Sequence, residues 1–494
     1  MKNLLYIISL CGLLTACDLQ EEPYGFYSDD NFYKSETDAE SGLLYAYNAL
    51  TFLEYSRGIF YIGDIPTETM SPKSDEAGDV YQLENWIANR ETEQLQYYFK
   101  YCYIAINRAN TVIDHIQNSS VLSETARRRI LGEVYFLRAW NYFNLVRTFG
   151  IVPVQTKMVA ELSQTTPPMA TGLDQLYDLI LGDLTRADNL LEVNKVFGRA
   201  DKVAAQSLMA KAYLTIASSK EHNVHRYTEM RREPQIMYDS AAYWAGKVVR
   251  DYKNVYDFDT NLRDIYDVDK PTGPEHIFIM PIDRSGTQEG NYSKLPLLFL
   301  PSNNSVPFYI RYGNGDLQRA NGNGWGVFLC NDEFVETQFS TTDKRRTELI
   351  HRDIYDASGN PIVPNQVKGY FSSKYVDPDF IGERTSARPY LIRFSDIALV
   401  YAEAAGPEAG LAYVNRIRER AGVTPLPSGM TTDKFREAVI KERALELAFE
   451  GNRLYDLRRT ASVTTTDIKA AGLSEAEAAY YPIPQREIDL NPNL

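Results

Sequence analysis

The chain has 494 residues, of which 44% are hydrophobic and 24% are charged, and its formal net charge is −14. This composition is typical of globular proteins, and the length exceeds the roughly 250–300 residues that one core usually organises, so more than one lobe is expected. A surface of this sign repels phosphate groups and argues against a nucleic-acid partner.

The N-terminus has the features of an export signal. Lys2 precedes an apolar stretch from Leu4 to Leu14, which is too short to span a bilayer as a helix. The motif Leu14-Thr15-Ala16-Cys17 follows and resembles a bacterial lipobox. It predicts that residues 1–16 are removed, that Cys17 is lipidated, and that its acyl chains anchor the protein to a membrane.

Residues 17–35 are then predicted to be a tether that follows the lipidated cysteine. Asp18 and the pair Glu21-Glu22 resemble the surface-export signal of Bacteroidetes lipoproteins, although a solvated tether has the same composition. Only Cys102 and Cys330 belong to the predicted folded body, and the sequence leaves their pairing and redox state open.

Two helix-rich regions flank a segment of different character. Ser123 is a candidate helix cap, and Gly150 and Pro153 are expected to end the helix that it begins. Short links between consecutive helices indicate antiparallel pairs stacked into a solenoid-like scaffold. The segments predicted to be helical are Asp38–Leu53, Leu95–Ile113, Ser123–Gly150, Thr171–Leu191, Lys202–Ser218, Tyr238–Tyr252, Ile392–Ala404, Leu411–Ala421 and Thr432–Phe449.

The segment from about residue 253 to residue 390 is punctuated by Pro, Gly, Asn and Asp. Short apolar runs such as Ile277–Met280 predict isolated strands. Residues 313–326 contain five glycines, three asparagines and Trp325. A long irregular insertion in a helical protein is usually functional, so this segment is expected to carry the ligand face.

The sequence offers little support for metal binding or a cofactor. His222 and His225 are the only close histidine pair, and charged neighbours without a ligand carboxylate at helical spacing argue against a metal site. A calcium loop begins at Asp257 but fails, because Leu262 and Val268 occupy the glycine and glutamate positions. We therefore predict no metal and no cofactor, while calcium dependence stays open.

Catalysis by paired carboxylates cannot be judged from a chain with 66 acidic residues. Glu442, Glu446 and Glu450 follow one another at four-residue spacing on one helix face. Such a row normally forms ion pairs, and Arg443 and Arg453 are the expected partners. The prediction is that the protein is not an enzyme.

Several segments resemble the SusD/RagB family of outer-membrane nutrient-binding lipoproteins of Bacteroidetes, and they follow one another in the family's order. The short connection from Glu403 to Gly410 departs from many members and trims one helix pair. The segments that carry the resemblance include Glu133–Pro153 with its Arg138-Ala139 and Gly-x-x-Pro, Tyr401–Ala404, Val414–Gly422, Glu442–Arg459 and Tyr481–Pro484.

The resemblance implies a mostly α fold of TPR-like helix pairs with an irregular, loop-rich insertion carrying short strands. It divides the chain into an N-terminal TPR-like part (36–252), a variable ligand-face part (253–390) and a C-terminal SusD-type part (391–494). It also implies a cell-surface position on the outer membrane, over a SusC-like, TonB-dependent transporter. Arg138, Glu450 and Arg453 are expected to be ion-pair or capping residues of the scaffold.

A glycan is the predicted ligand, since sugars stack on aromatic rings and pair with Asn, Asp and Arg. The stretches 81–86 and 308–325 offer that mixture outside the helical stripes, although packing is an alternative for each side chain. The predicted ligand contacts are Trp86, Trp325, Tyr309, Tyr312, Arg311, Asn85, Asp64 and Tyr81.

Three other functions stay open at this point. A peptide or protein ligand, as for RagB-like members, would need a deep groove lined with hydrogen-bonding backbone. A glycoside hydrolase would need two carboxylates converging in a cleft roughly 5–10 Å apart. A purely structural subunit, which only gates its transporter, would show no exposed aromatic cluster.

Overall fold

Helices dominate the chain, and most of them belong to one continuous stack. The computed structural model describes residues 32–76, 78–285, 293–363, 369–382 and 384–494. The predicted signal peptide (1–16), the lipidation site Cys17 and most of the predicted tether (17–35) lie outside the described residues.

The elements are numbered in chain order. The helices are α1 (Glu36–Thr51), α2 (Leu53–Gly63), α3 (Asp79–Glu84), α4 (Glu93–Ile116), α5 (Glu124–Phe149), α6 (Leu173–Leu190), α7 (Lys202–Glu221), α8 (Pro234–Asp251), α9 (Leu295–Phe299), α10 (Asp332–Gln338), α11 (Lys344–Leu349), α12 (Phe394–Ala405), α13 (Pro407–Arg420), α14 (Thr432–Glu446), α15 (Arg453–Arg459), α16 (Val463–Thr466), α17 (Glu475–Ala479) and α18 (Gln485–Leu490). The strands are β1 (Met70–Pro72), β2 (His276–Ile279), β3 (Phe308–Arg311), β4 (Leu317–Ala320), β5 (Phe328–Cys330), β6 (Ile350–His351), β7 (Ile354–Tyr355), β8 (Pro361–Ile362), β9 (Phe371–Ser372) and β10 (Tyr390–Arg393).

Helix ends follow the capping residues in the sequence. The hydroxyl of Ser123 accepts a hydrogen bond from the Ala126 N–H at 3.3 Å, as predicted, and Gly150 ends α5 with a φ of +76°. The prediction of a first helix reaching Leu53 was wrong. Phe52 adopts an extended ψ of 138°, so α1 stops at Thr51 and α2 starts separately.

The main stack runs without a break across the insertion. Consecutive helices from α4 to α8 pack against one another, and α12 packs on both α8 and α13. The insertion leaves the stack after α8 and returns through β10, which pairs antiparallel with β2 and places Tyr390 opposite Ile279. A predominantly helical fold with short strands in its insertion is therefore confirmed.

Apolar stripes of the predicted helices line the core. The stripe predicted on α4 is buried along its whole length: Leu95, Phe99, Cys102, Ile106, Ala109 and Ile113. Cys102 and Cys330 are both buried and free, so they do not form a disulfide with each other.

A buried ion cluster joins the insertion to the C-terminal helices. Arg393 lies at its centre and contacts Glu275 at 2.9 Å, Glu446 at 2.9 Å and Glu450 at 2.8 Å. All four side chains are almost fully buried, so each charge depends on the others for compensation. Arg138 is likewise buried, against Asp183 at 2.6 Å.

The ion-pairing role of the acidic row is confirmed, but its predicted partners were wrong. Arg443 contacts Asp396 and Asp456, at 2.8 and 2.9 Å, and Arg453 contacts Glu68. Adjacent residues of a helix point in different directions, so Arg443 does not face Glu442.

Among the described ranges, no helix is both long enough and apolar enough to cross a bilayer.

Candidate ligand-binding cleft

A cleft of about 850 Å³ opens where the N-terminal region, the insertion and the C-terminal helices meet. We call it the Arg453 cleft. Its size lies within the range usual for ligand sites. The lining residues include Ile65, Thr67, Glu68, Met70, Ser71, Glu84, Asn331, Phe334, Thr337, Gln338, Glu437, Ile440, Lys441, Ala444, Leu445, Arg453, Thr466, Asp467, Ile468 and Lys469.

One face of α14 forms a wall of the Arg453 cleft. Glu437, Ile440, Lys441, Ala444 and Leu445 are spaced by three and four residues, which places them on the same side of the helix. Ala444 and Leu445 are buried, whereas Glu437 and Lys441 are exposed. The wall thus combines an apolar base with a charged rim.

The opposite wall is held by a short strand pair. β1 pairs antiparallel with β5, with Met70 opposite Cys330, and this brings the N-terminal region against the insertion. Asn331 follows β5, and its amide donates to the Ser71 hydroxyl at 3.0 Å. Its side-chain oxygen also accepts from the Phe334 N–H at 3.0 Å and so caps α10. One asparagine therefore fixes both segments at the cleft.

The most strongly positioned charges in the Arg453 cleft are Arg453 and Glu68. The Nε of Arg453 donates to Glu68 Oε1 at 2.7 Å, and its Nη2 lies 2.5 Å from the same oxygen. Within the described part of the chain, Arg453 Nη1 and Glu68 Oε2 are buried atoms without a hydrogen-bond partner. Each residue therefore keeps one polar atom whose bonding capacity is unused.

Asp64 lies behind this pair rather than in the cleft. Its side chain is fully buried, and Oδ2 accepts a hydrogen bond from the Gly451 N–H at 2.6 Å. Burial raises the pKa of Asp64 to about 7, against the opposing effect of the Gly451 and Arg453 N–H groups. The prediction that Asp64 contacts the ligand is therefore wrong, because a ligand at the surface cannot reach its buried carboxyl group. It is a positioning residue for the turn that carries Arg453.

The predicted stretch 81–86 borders the same cleft. Trp86 is nearly buried, with a φ of +55°, and its indole N–H donates to Asp467 at 3.2 Å. The Trp86 ring stacks on Tyr481 with ring centroids 6.2 Å apart. Trp86 therefore packs within the protein and does not make the predicted ligand contact. Tyr81 is 53% exposed, and Asn85 donates to the Tyr81 carbonyl at 2.9 Å. Their ligand contacts stay predictions.

The second predicted stretch lies on a separate sheet of order β4-β3-β7-β8. Tyr309 is half-buried opposite Arg319 and Tyr355, whereas Arg311 is exposed and its guanidinium lies 4.2 Å from the centre of the Tyr355 ring. Both remain predicted contacts.

Tyr312 is buried instead and lies beside a second, polar cleft of about 600 Å³. The guanidinium of Arg263 lies 4.5 Å from the centre of the Tyr312 ring, and burial raises the pKa of Tyr312 to about 12. Tyr312 is only 5% exposed, which corrects its predicted ligand contact to a packing role.

Trp325 is the most accessible of the predicted aromatic contacts in the insertion. Its side chain is 43% exposed, and Lys294 Nζ lies 5.5 Å from the ring centre. Its backbone N–H donates to the Leu297 carbonyl at 2.6 Å, which fixes the loop against α9. The structure does not join Trp86 and Trp325 into one platform, because Trp86 is packed against the C-terminal segment.

Cleft residues from four separate segments were not predicted. Glu68, Asn331, Gln338, Lys441 and Asp467 lie far apart in the sequence, and none stands in an aromatic-rich stretch. The spacing of α14 was the one available signal, because it places Lys441 beside apolar residues on a half-buried face. Among the described residues, no cluster of three or more His, Cys, Asp or Glu side chains is arranged to hold a metal ion.

Two family models match separate parts of the chain. Residues 353–494 match the SusD family, and residues 33–214 match a family described as starch-binding and associating with the outer membrane. The chain belongs to the SusD/RagB family. A SusD-like protein of Formosa agariphila is 24% identical to this SusD-like chain, over 92% of the chain and 89% of the relative.

Solved structures have the same fold. A laminarin-binding SusD-like protein superposes with a TM-score of 0.74 at 23% identity, covering 93% of this chain and 98% of that protein. Surface glycan-binding protein A of Bacteroides thetaiotaomicron, solved in complex with laminarihexaose, gives a TM-score of 0.71 at 20% identity, covering 92% and 97%. The chain thus has the SusD-like fold, and its residues 33–214 match a family described as starch-binding and associating with the outer membrane.

Proposed function

We propose that this SusD-like protein captures an oligo- or polysaccharide in the Arg453 cleft without cleaving it. The observation that carries the proposal is the arrangement of the cleft, in which an apolar base lies beneath a rim of amides, hydroxyls and charges. Apolar side chains pack on the C–H faces of a sugar, and the rim pairs with its hydroxyl groups. The glycan-binding proteins of the same fold support this ligand class.

The Arg453–Glu68 pair is the proposed centre of recognition. Arg453 Nη1 and Glu68 Oε2 are themselves buried and have no hydrogen-bond partner within the described residues. The two side chains are partly exposed in the cleft, by 11% and 24%, so a sugar hydroxyl can hydrogen-bond to the ion pair there. Because Asp64 and Gly451 fix the turn before Arg453, little ordering is required when the ligand binds.

The charges of the cleft favour binding over hydrolysis. A glycosidase needs one protonated and one ionised carboxyl group on opposite sides of the scissile bond. Glu68 is engaged by Arg453, and Glu84 accepts from Lys469 Nζ at 2.6 Å. Both carboxylates are thus ion-paired, which leaves them suited to hydrogen bonding with hydroxyl groups.

The proposed partner is a SusC-like, TonB-dependent transporter, to which the captured glycan is delivered. The lipobox-like motif ending at Cys17 supports a lipid anchor at the cell surface, where a receptor of this kind meets polymers too large to diffuse inward. Capture at the surface and delivery to a transporter are then successive steps.

The test is calorimetric titration of the mature, non-lipidated chain with soluble polysaccharides and with laminarihexaose, alongside an assay for reducing ends. We expect binding without release of reducing ends. Arg453→Gln should weaken it roughly 10- to 100-fold, the loss of a hydrogen bond to a charged group. Arg186→Gln, which alters an exposed arginine paired with Asp183, serves as the matched control.

The predicted aromatic face is tested in the same titration. Trp325→Ala and Arg311→Ala should leave affinity unchanged if the Arg453 cleft is the site. Loss of binding in these variants, but not in Arg453→Gln, would move the site to the insertion. No binding to any glycan would contradict the proposal and favour a peptide ligand, and release of reducing ends would favour a hydrolase.

A further inference from the structure

A small cavity lies apart from the Arg453 cleft, where the C-terminal segment packs on the helical stack. Its volume is about 20 Å³, enough for an occupant of the size of a water molecule. Arg147 at the end of α5, Ser219 of α7, Tyr227, Arg458 of α15 and Tyr480 are among its lining residues. We call it the Arg458 cavity.

Arg458 is a buried cation whose contacts are all neutral. Its side chain is 5% exposed, and it donates to the carbonyls of Ala478 at 3.3 Å and of Arg147 and Thr148 at 3.2 Å. The ring of Tyr481 lies 4.4 Å from its guanidinium carbon. Among the residues that the structure describes, no atom accepts a hydrogen bond from Nη2 and no carboxylate lies within ion-pair distance.

Arg147, which also lines the cavity, likewise has a buried N–H group without an acceptor in the described part of the chain. Its guanidinium is held between the rings of Phe143 and Tyr455, with distances of 4.2 and 3.8 Å to their centres. Nη2 donates to the amide oxygen of Asn144 at 2.6 Å, while the buried Nε has no acceptor within the described ranges. Both arginines therefore line one cavity with an unused N–H group.

The neighbouring carboxylates are already engaged by other cations. Arg459, the third arginine of the lining, is held by Glu403 at 2.8 Å and by Asp456 at 2.9 Å. The other oxygen of Asp456 accepts from Arg443 at 2.9 Å. Arg458, which is buried, and Arg147, which is partly buried, are thus left without a carboxylate partner among the described residues, and buried charges are normally compensated.

We propose that the Arg458 cavity binds one small monovalent anion of the halide class, which accepts hydrogen bonds from Arg458 Nη2 and Arg147 Nε. A halide is only slightly larger than a water molecule, whereas a sulfate or a carboxylate exceeds the space available. The anion compensates the two guanidinium groups and ties the C-terminal segment, through Arg458 and Tyr480, to α5 and α7. The stability of the fold then depends on halide concentration.

The direct test is diffraction from crystals of the mature protein soaked in sodium bromide. We expect an anomalous bromine peak in the cavity, between Arg147 and Arg458. Density for a water molecule without anomalous signal, at saturating bromide, would overturn the proposal.

Thermal unfolding gives a second test in solution. At equal ionic strength, the melting temperature should rise by roughly 1–3 °C more in sodium chloride than in sodium gluconate, because gluconate is too large to enter. Arg147→Gln removes one donor and should abolish that difference, whereas Arg186→Gln should retain it. Equal melting temperatures of the unmodified protein in the two salts would overturn the proposal.

Discussion

The carboxylate of Asp64 accepts a hydrogen bond from the backbone N–H of Gly451 at 2.6 Å, across 387 positions of the sequence. This contact joins the end of α2 to the turn that leads into α15. Gly451 has a φ of +75°, and a Cβ atom there would lie 2.3 Å from Ile59 Cγ2. The turn that presents Arg453 to the cleft therefore depends on an N-terminal carboxyl group and on a glycine.

Asp64→Asn is predicted to change how stability depends on pH. The folded-state pKa of about 7 lies above the ordinary value of 3.8, so the native state binds more protons between these pH values. The free energy of unfolding contributed by this group therefore falls as pH rises from about 4 to about 7, by on the order of 4 kcal/mol. Asparagine keeps an acceptor for Gly451 but cannot ionise.

Denaturant unfolding at pH 5 and pH 8 checks this expectation. Between pH 5 and pH 8, the unfolding free energy of Asp64→Asn should rise relative to that of the unmodified protein. Asp353→Asn replaces an exposed carboxyl group and should give the same difference at both pH values. Parallel pH profiles for Asp64→Asn and the unmodified chain would show that Asp64 is not the titrating group.

Gly63→Ala is predicted to disturb both the fold and the cleft. A Cβ atom at Gly63 would lie 2.3 Å from the Gly451 carbonyl oxygen, so one of the two backbones must move. We expect a loss of about 1–3 kcal/mol in unfolding free energy, and weaker glycan binding because Arg453 is displaced. Gly182→Ala is the matched control. Its Cβ would meet only Arg186 Nη1, at 3.8 Å, so it should stabilise α6 by about 0.5–1 kcal/mol. Equal effects of the two substitutions would contradict the close approach at Gly63.

The helical frame was predictable because its signals are local. The stripe from Leu95 to Ile113 and the cap at Ser123 each depend on residues within a few turns of one another, and both are confirmed. The break at Phe52 was missed, since apolar residues continue on both sides of it.

The cleft was predictable only in part because it is assembled from distant segments. Aromatic content suggested Trp86, but its burial depends on Asp467 and Tyr481, which lie almost 400 residues further on. Asp64 was predicted to contact the ligand, whereas its side chain is fully buried. Arg453 was interpreted as scaffold only, because its pairing with Glu68 depends on how α2 and α15 meet.

Cys102 and Cys330 are predicted to be unreactive in the native protein. Both are buried and free, and burial raises the pKa of each thiol well above its usual range. In a mature chain lacking Cys17, an aromatic disulfide reagent at pH 8 should release almost no coloured thiolate until denaturant is added. It should then release two equivalents of thiolate per chain. Rapid reaction of one equivalent in native buffer would show that one of the two thiols is accessible.

Glu446→Gln is predicted to remove much of the acid sensitivity of the fold. Burial opposes ionisation of Glu446, but Arg420 and Arg393 prevail and lower its pKa to about 2. The stability that it contributes is present above the ordinary value of 4.5 and is lost as pH falls from there toward 2. Glutamine leaves Arg393 with fewer counter-charges, which should cost about 3–5 kcal/mol at pH 7.

Denaturant unfolding of this variant between pH 7 and pH 3 measures both effects. Its unfolding free energy should be lower than that of the unmodified protein at pH 7, and the two curves should converge as pH falls. Glu419→Gln, an exposed glutamate on α13, should follow the unmodified curve throughout. A constant difference between Glu446→Gln and the unmodified chain down to pH 3 would mean that the ionisation of Glu446 is not linked to folding. The ion cluster would then stabilise the fold through hydrogen bonding alone, and acid unfolding would have to arise at other carboxyl groups.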